Sequence, residues 1–397
     1  MTQMLHSSGP PQHSTGPSPA SGPSAASRPG GLAVVFTGGT VASQVSAGTG
    51  AERDGRAGRL VVMSSEDDSA DAVLVRRLLA DRHVDLAGVT FVSPLRRLSE
   101  NMGPADWATM ASAVRALHDA GAGRILVLHG TDTAAYSAAA LSFALADLPV
   151  TVVLTGANLP PGEPGSDAAR NIADAVTALD RLAPGVFLSF AGDPAGPSSV
   201  HLGTAVRKVR ASGQAFYSIN RPVVAEVGDA YREVSAVPDR TPLARAVHGD
   251  VRFDERVMLL RLHPGIDLRM AAEAAAAHGI AGVVVELYPS GTGPQMGGGP
   301  GALSLGDFVR ACREHGAVVV ATVANAPAGP RNHYESTVAL EEAGALFTRD
   351  MLPETALVKL MWLLGHYKAD EARDLVLAPC VAGELTDPGA VAAGGWA

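Results

Sequence analysis

Cysteine, aromatic residues and charge are all scarce in this chain, and each scarcity narrows the kind of protein it can be. Only two of the 397 residues are cysteines, which excludes a disulfide framework, and neither cysteine has the spacing of a metal site. Aromatic residues make up 5% of the sequence and charged residues 18%, the latter below the roughly 25% usual for soluble domains. Alanine, valine and leucine must therefore build the interior, which is typical of an α/β or all-α protein.

Long apolar runs and an excess of positive charge are also missing. The longest apolar stretches, such as 317–323, fall far short of the roughly 18 to 20 residues that span a membrane. The formal net charge is −9, which gives no general attraction for phosphate backbones or anionic lipid. Residues 1–30 lack the apolar centre of a secretory signal. We therefore expect a soluble, cytoplasmic protein with no membrane partner, and nucleic-acid binding is not expected.

Changes in composition divide the chain into five segments. Residues 1–30 are rich in proline, serine and glycine and are predicted to form a disordered tail. Short apolar runs alternate with alanine-rich helical stretches over 31–220, which predicts a larger N-terminal sheet domain. The alternation of apolar and polar residues is weak over 221–257 and prolines are frequent there, which indicates a linker. A smaller α/β domain is predicted at 258–380, and the residues 381–397 are predicted to form a flexible tail.

The predicted strands place loops where ligands usually bind. In an open α/β sheet, the loops after parallel strands face a common crevice. Eight apolar runs have the length and flanking residues of strands, at 33–36, 89–92, 124–129, 150–154, 186–190, 258–262, 282–287 and 317–322.

Two loops that follow predicted strands carry glycines and hydroxyl groups. The first, Thr-Gly-Gly-Thr, ends in Gly39 and Thr40; glycine lets the backbone approach a ligand, and a threonine hydroxyl can be a nucleophile when a base is near. The second, His-Gly-Thr-Asp-Thr, contains Thr131 and Asp132, with backbone N–H groups for an anion and a carboxylate for an ammonium group. Taken alone, each loop is more simply a turn or a helix cap. Together at one crevice, they favour a site.

Lysine usage singles out Lys208 as a candidate base. Of the 31 basic residues, only Lys208, Lys359 and Lys368 are lysines, and the other 28 are arginines. A lysine can lose its proton when its neighbours lower its pKa, whereas an arginine in practice cannot. The alternative is that all three lysines are retained by chance. Lys359 and Lys368 are interpreted as such incidental lysines, which arginine should replace without effect.

Several motifs, in this order along the chain, resemble the bacterial-type L-asparaginase family. The Thr40 and Thr131 loops look like the two threonine signatures of that family, and the resemblance extends from about residue 32 to residue 368. Further motifs are similar to the asparaginase-like subunit of the archaeal-type glutamyl-tRNA amidotransferase, at 99–102, 155–157, 166–167, 206–208 and 350–355. The resemblance implies an α/β, two-domain asparaginase fold with a larger N-terminal sheet domain and a smaller flavodoxin-like C-terminal domain.

The resemblance also assigns roles at the site. It implies that Thr40 is the nucleophile and that Thr131, Asp132 and Lys208 form a second triad that handles protons. It implies no metal and no organic cofactor. Backbone N–H groups near the two threonines would form an oxyanion hole, and Gly39, beside the first threonine, is assigned to substrate binding.

The same resemblance implies how an amino acid substrate is held. Ser99 falls where the family binds the α-carboxylate, and Glu100 and Asp132 fall where it holds the α-ammonium group. These residue types suit the task, because a carboxylate needs a hydroxyl or N–H donor and an ammonium group needs carboxylates.

One position departs from the family pattern. The family carries a tyrosine on the mobile loop after the first threonine, and the corresponding position here is about Ala47. No tyrosine occurs between Thr40 and Leu60, which argues against ordinary asparaginase efficiency. The glycine-containing loop at 43–58 is still predicted to act as a lid.

The function implied is hydrolysis of the side-chain amide of L-asparagine through a threonine acyl-enzyme, in a homodimer or homotetramer. One alternative is a glutaminase-type subunit that supplies ammonia for Glu-tRNA; against it, residues 1–30 are too short for the extra N-terminal domain of that subunit. Another is an amidase-like or binding protein of low asparaginase activity, adapted to a larger asparaginyl metabolite. The sequence leaves the choice of amide open.

Overall fold

A larger mixed sheet and a smaller parallel sheet organise the chain. The computed structural model describes residues 30–38, 70–161, 163–191, 196–211, 214–243, 250–297, 301–324 and 335–386. Within these ranges the strands form an eight-stranded sheet, a four-stranded sheet and a separate two-stranded hairpin. The larger N-terminal and smaller C-terminal sheet domains confirm the α/β two-domain fold predicted from the sequence.

The N-terminal domain is built on the eight-stranded sheet, in the order β10-β9-β6-β5-β4-β3-β1-β2, and β7 pairs with β8 apart from it. Strands β1 to β5 are mutually parallel, whereas β6, β9 and β10 form an antiparallel edge. The strands are β1 (Gly31–Phe36), β2 (Val89–Val92), β3 (Ala122–Leu128), β4 (Thr151–Thr155), β5 (Gly185–Ala191), β6 (Ser198–Leu202), β7 (Val206–Ala211), β8 (Gln214–Ser218), β9 (Ala225–Val227) and β10 (Tyr231–Glu233). The helices are α1 (Ala70–Asp81), α2 (Pro104–Asp119), α3 (Ala134–Ala144) and α4 (Ala168–Leu179).

The C-terminal domain carries four parallel strands that lie side by side in chain order. Its first helix begins after Asp267, whose carboxylate accepts the backbone N–H groups of Arg269 and Met270 and so satisfies donors that a helix start leaves unpaired. The strands are β11 (Val257–Arg261), β12 (Gly282–Glu286), β13 (Val318–Thr322) and β14 (Leu346–Phe347). The helices are α5 (Leu268–Ala277), α6 (Leu305–Glu314), α7 (Glu335–Ala343), α8 (Pro353–His366) and α9 (Ala369–Leu375).

The two domains share an apolar core centred on α3 and α8. Helix α3 is rich in alanine and buried along almost its whole length, which lets it pack between β5 and α8. Phe143 of α3 stacks on Trp362 of α8 with ring centroids 5.7 Å apart. Buried residues of both domains belong to one contiguous hydrophobic cluster, so side-chain packing fixes their relative position.

Two of the predicted boundaries are wrong. The predicted linker 221–257 contains β9 and β10, which extend the large sheet; strands of three residues are too short to show a period in the sequence. The predicted tail 381–397 is packed at its start, since Val381, Glu384 and Leu385 are buried. The tail at 1–30 lies outside the described residues, apart from Gly30, as do residues 387–397.

Lys359 is not an incidental lysine. It is fully buried in α8, and its Nζ donates to Val376 O at 2.8 Å and to Glu384 Oε1 at 2.6 Å. The same carboxylate accepts the backbone N–H groups of Val381 and Ala382. A buried charge is stable only when it is paired and hydrogen-bonded, so this pair ties the C-terminal segment to α8.

Within the described ranges, no helix is long and apolar enough to cross a bilayer.

Candidate active site

The strand order of the large sheet places a topological switch point between β1 and β3, where a crevice is expected. From β1 the chain continues to β2 on one side and then to β3 on the other, and such a reversal leaves space at the carboxyl ends of the strands. Thr37 follows β1 and donates to Leu128 O of β3 from its backbone N–H (3.1 Å) and from its hydroxyl (2.9 Å). The two hydroxyl-bearing loops therefore start side by side.

Glycine is required where the first loop leaves β1. Gly38 has φ +98°, and a Cβ there would lie 2.5 Å from Arg97 O. The backbone N–H of Arg97 also donates to Thr37 O, so this loop lies against the loop that follows β2. The absent side chain is what permits the close approach.

The predicted nucleophile Thr40 belongs to a segment outside the described residues. Gly39 lies in the same segment, as do the predicted lid 43–58 and Ala47 within it. Their roles stay predictions from the sequence.

Lys208, Thr131 and Asp132 lie together at the crevice. Lys208 Nζ donates to Thr131 Oγ1 at 2.8 Å and to Asp132 Oδ1 at 2.6 Å. Thr131 is nearly buried, with 9% of its surface exposed, whereas the Asp132 side chain is 62% exposed and that of Lys208 is 24% exposed. The hydroxyl is thus sheltered, and the carboxylate remains open to a ligand.

This arrangement can move a proton. A neutral amine at hydrogen-bond distance from a hydroxyl can accept its proton, and an ammonium group in the same place can return it. Asp132 holds the lysine in reach of the hydroxyl and balances its positive charge.

The predicted substrate-binding residue Ser99 is hydrogen-bonded to the same loop. The Ser99 hydroxyl accepts the backbone N–H of Asp132 at 3.3 Å, and the Thr133 hydroxyl donates to Ser99 O at 2.7 Å. Ser99 is buried, whereas the neighbouring Glu100 is exposed on the one-turn helix Ser99–Asn101. The structure therefore brings Ser99 to the Lys208 cluster and leaves Glu100 at its surface.

His129 adjoins the cluster but stays neutral. Burial lowers its pKa to about 4, against a smaller opposite effect of its hydrogen bond to Gly130. Its Nδ1 lies 2.6 Å from Gly130 O, and Nε2 is buried with no partner among the described residues. A neutral imidazole in this position supports the loop without adding charge.

Gly156 and Asn171 support the site, although sequence reasoning gave them no role. A Cβ on Gly156 would lie 2.3 Å from His129 O, so β4 can approach the loop only with glycine there. The buried Asn171 donates to Gly156 O at 2.9 Å and accepts the backbone N–H of Ala191 at 3.0 Å. The available signals were the family-like motif at 155–157, which contains Gly156, and an asparagine among apolar residues in an alanine-rich stretch.

Within the residues that the structure places, no group of three or more His, Cys, Asp or Glu side chains is arranged to hold a metal ion.

Two family models match the chain over most of its length. Residues 31–239 match the model described as "Asparaginase, N-terminal", and residues 256–375 match "Glutaminase/Asparaginase C-terminal domain". The chain belongs to the asparaginase family. The N-terminal match of this asparaginase-family protein includes β9 and β10, in agreement with their place in the large sheet.

Relatives with two different names are equally similar to this asparaginase-family chain. The L-asparaginase of Thermococcus kodakarensis is 33% identical over 359 residues, 89% of this chain and 99% of the relative. A glutamyl-tRNA(Gln) amidotransferase subunit of Methanococcus maripaludis is 33% identical over 364 residues, 90% of this chain and 81% of the relative. Sequence identity therefore does not choose between the two activities.

Solved structures agree with the fold. The thermostable L-asparaginase from Thermococcus kodakarensis matches with a TM-score of 0.70 and covers 90% of this chain and 99% of its own. L-asparaginase I from Vibrio cholerae matches with a TM-score of 0.68 at 24% identity, with 90% and 99% coverage, and supports the fold alone.

Proposed function

We propose that this asparaginase-family protein hydrolyses the side-chain amide of L-asparagine to L-aspartate and ammonia. The observation that carries the proposal is the contact of Lys208 Nζ with both Thr131 Oγ1 and Asp132 Oδ1. An amine that is hydrogen-bonded to both a sheltered hydroxyl and a carboxylate can transfer protons in acyl chemistry.

In the proposed reaction, the Thr40 hydroxyl attacks the amide carbon and its proton passes to the Thr131–Lys208 pair. The oxyanion is held by backbone N–H groups near Gly39 and Thr131. The same proton then leaves with the amide nitrogen as ammonia, and an acyl-enzyme forms on Thr40. Water attacks the ester and gives up a proton to Lys208. Lys208 returns that proton to the departing Thr40 oxygen, which releases aspartate and restores both the Thr40 hydroxyl and the neutral amine.

Substrate recognition uses the two ends of the amino acid. We assign the α-carboxylate to Ser99, whose hydroxyl accepts from the Asp132 backbone and can donate its own proton to a carboxylate. We assign the α-ammonium group to Asp132 and Glu100, because both carboxylates are open to solvent. The protein is further proposed to be a cytoplasmic homodimer or homotetramer without a cofactor, and size-exclusion chromatography with light scattering tests its oligomeric state.

Ammonia release from asparagine, glutamine and asparaginyl compounds tests the proposal. Thr40→Ala should abolish release, and Lys208→Arg should reduce it by at least about a hundredfold, since arginine keeps the charge but cannot act as a base at working pH. Lys368→Arg is the matched control, because Lys368 is an exposed lysine with no role in the proposed reaction. Near-normal turnover in Lys208→Arg would remove Lys208 from the reaction.

Two alternative functions are each supported by a separate observation. The similarity to a glutamyl-tRNA(Gln) amidotransferase subunit favours an ammonia-supplying subunit, for which release would require a partner and Glu-tRNA. The missing lid tyrosine favours a larger asparaginyl amide. Ala47→Tyr should then raise turnover of free asparagine more than turnover of bulky amides, and an unchanged substrate profile would contradict this interpretation of Ala47.

A further inference from the structure

Arg207 stands next to Lys208 on β7 but interacts with the other domain. Successive side chains of a strand point to opposite faces, so the two cations are directed apart. Arg207 Nε lies 2.8 Å from Glu354 Oε1 at the start of α8, and a second guanidinium nitrogen lies 3.9 Å from Glu286 Oε1 at the end of β12.

The contact with the C-terminal domain is buried and charged. Glu286 and Glu354 are both buried, and Arg261 Nε approaches Glu286 at 3.7 Å. Burial raises the pKa of Glu354, an effect that Arg207 opposes and Glu286 reinforces. The nearby Tyr136 of α3 also has a raised pKa, through burial and the charge of Glu354. Arg207 thus supplies positive charge to an interdomain cluster that contains two buried carboxylates.

The hairpin that carries Lys208 has limited support of its own. Among the strands that the structure describes, β7 and β8 pair only with each other, and their register shifts between Lys208 and Ala211. A two-stranded hairpin alone is marginally stable in water. Val206 and Phe216 anchor one face in the core, where Phe216 meets Phe190 edge to face at 5.1 Å. Lys208 lies opposite Phe216 and is the last paired residue before the register shift, and the neighbouring Arg207 carries the ion pair to the C-terminal domain.

We propose that Arg207 is a positioning residue: its ion pair with Glu354 fixes β7 so that Lys208 Nζ reaches Thr131 and Asp132 together. In this arrangement the C-terminal domain sets the geometry of a proton-transfer group carried by the N-terminal domain. The effect on turnover rests on the proposed function, whereas the placement of Lys208 is testable without any substrate.

The first experiment measures amine reactivity in the folded protein. Trace acetylation with acetic anhydride, followed by peptide mass spectrometry, reports the three lysines separately. Arg207→Met keeps the apolar stem and removes the charge, and it should raise the acetylation rate of Lys208 several-fold, because the amine leaves its two acceptors. The exposed Lys368 should be unchanged, and the buried Lys359 should stay slow, which shows that the fold is intact.

Matched variants sharpen this measurement. Glu354→Gln removes the other charge of the pair with little change in shape and should raise Lys208 reactivity in the same direction. Arg232→Met breaks an exposed arginine–glutamate pair with Glu226 and should change no lysine. A reactive Lys359 in Arg207→Met would mean that this variant has lost its fold. In that case Arg207→Lys and Glu354→Gln test whether the ion pair positions Lys208. An unchanged Lys208 rate in folded Arg207 and Glu354 variants would overturn the proposal.

The second experiment separates binding from turnover. With the amide that the parent turns over, Arg207→Met should lower kcat at least about tenfold, since small displacements of a proton-transfer group are costly, and should leave KM within about twofold. Arg207→Lys should restore part of kcat. A lower kcat with unchanged Lys208 acetylation would contradict the positioning role. If the parent releases no ammonia from any amide, the proposed function fails, and the acetylation result still decides the placement.

Discussion

Replacing Lys359 by methionine should destabilise this protein far more than replacing a surface lysine. The Lys359–Glu384 pair is 2.6 Å long, and the two side chains are 1% and 0% exposed. Burial alone would raise the pKa of Glu384, but the charge and hydrogen bond of Lys359, together with the backbone N–H groups of Val381 and Ala382, hold the pKa below its usual range. Lys359→Met leaves this carboxylate buried without its cation, which costs about 3 to 5 kcal/mol of unfolding free energy.

A double-mutant cycle separates the pair from the shape of the site. Glu384→Gln leaves a buried ammonium group with two carbonyl acceptors, Val376 O and Pro379 O, and should cost a similar amount. The double variant leaves neither charge uncompensated. Because residues in direct contact are not additive, its cost should fall short of the sum of the single variants by about 1 to 3 kcal/mol.

Urea denaturation at pH 7, followed by circular dichroism, measures these free energies. Lys368→Met is the control, because Lys368 is exposed, and surface changes usually stay within about 0.5 kcal/mol. Because the pKa of Glu384 is lowered in the folded state, its carboxylate contributes stability that is fully present above its unfolded pKa and is lost as the pH falls through its folded pKa. The penalty of Lys359→Met should therefore shrink in acid. A penalty below about 1 kcal/mol at pH 7, or additive variants, would refute the structural role of the pair.

Two further predictions concern acid stability and backbone approach. Burial lowers the pKa of His201 to about 4, so stability should fall as the pH drops from 6.5 toward 4, by about 3 kcal/mol in full. His201→Gln, which keeps a partner for Ser218, should flatten this decline in urea titrations between pH 7 and pH 4.5; an unaltered slope would exclude His201 as the cause. Gly156→Ala places a Cβ 2.3 Å from His129 O and should lower stability by about 1 to 3 kcal/mol and reduce ammonia release. Gly88→Ala meets nothing within 4 Å and serves as its control; equal stability of the two variants would contradict the close contact.

The sequence by itself determined the main architecture. Buried parallel strands are near-continuous apolar runs, so β1, β3, β4, β5, β11, β12 and β13 were predictable within a few residues, and so were the loops that follow them. The positions of Thr131 and Asp132 at the end of a strand came from the same pattern. The Asp267 cap could also be predicted, because a cap depends on residues that are neighbours in the sequence.

Tertiary structure alone decided which distant residues meet. Lys208 and Thr131 are 77 positions apart. The scarcity of lysine made Lys208 a candidate base but did not show that it contacts Thr131. The same scarcity argument was wrong for Lys359, because nothing in the local sequence shows that Glu384 packs onto α8.

Long-range contacts also explain three other features that the sequence did not reveal. These are the short strands β9 and β10, the packed segment after Val381 and the pairing of Arg207 with Glu354. Short strands have no period to detect. Whether a charge is paired inside the protein or solvated outside depends on burial by other parts of the chain, and that burial exists only once both domains have packed.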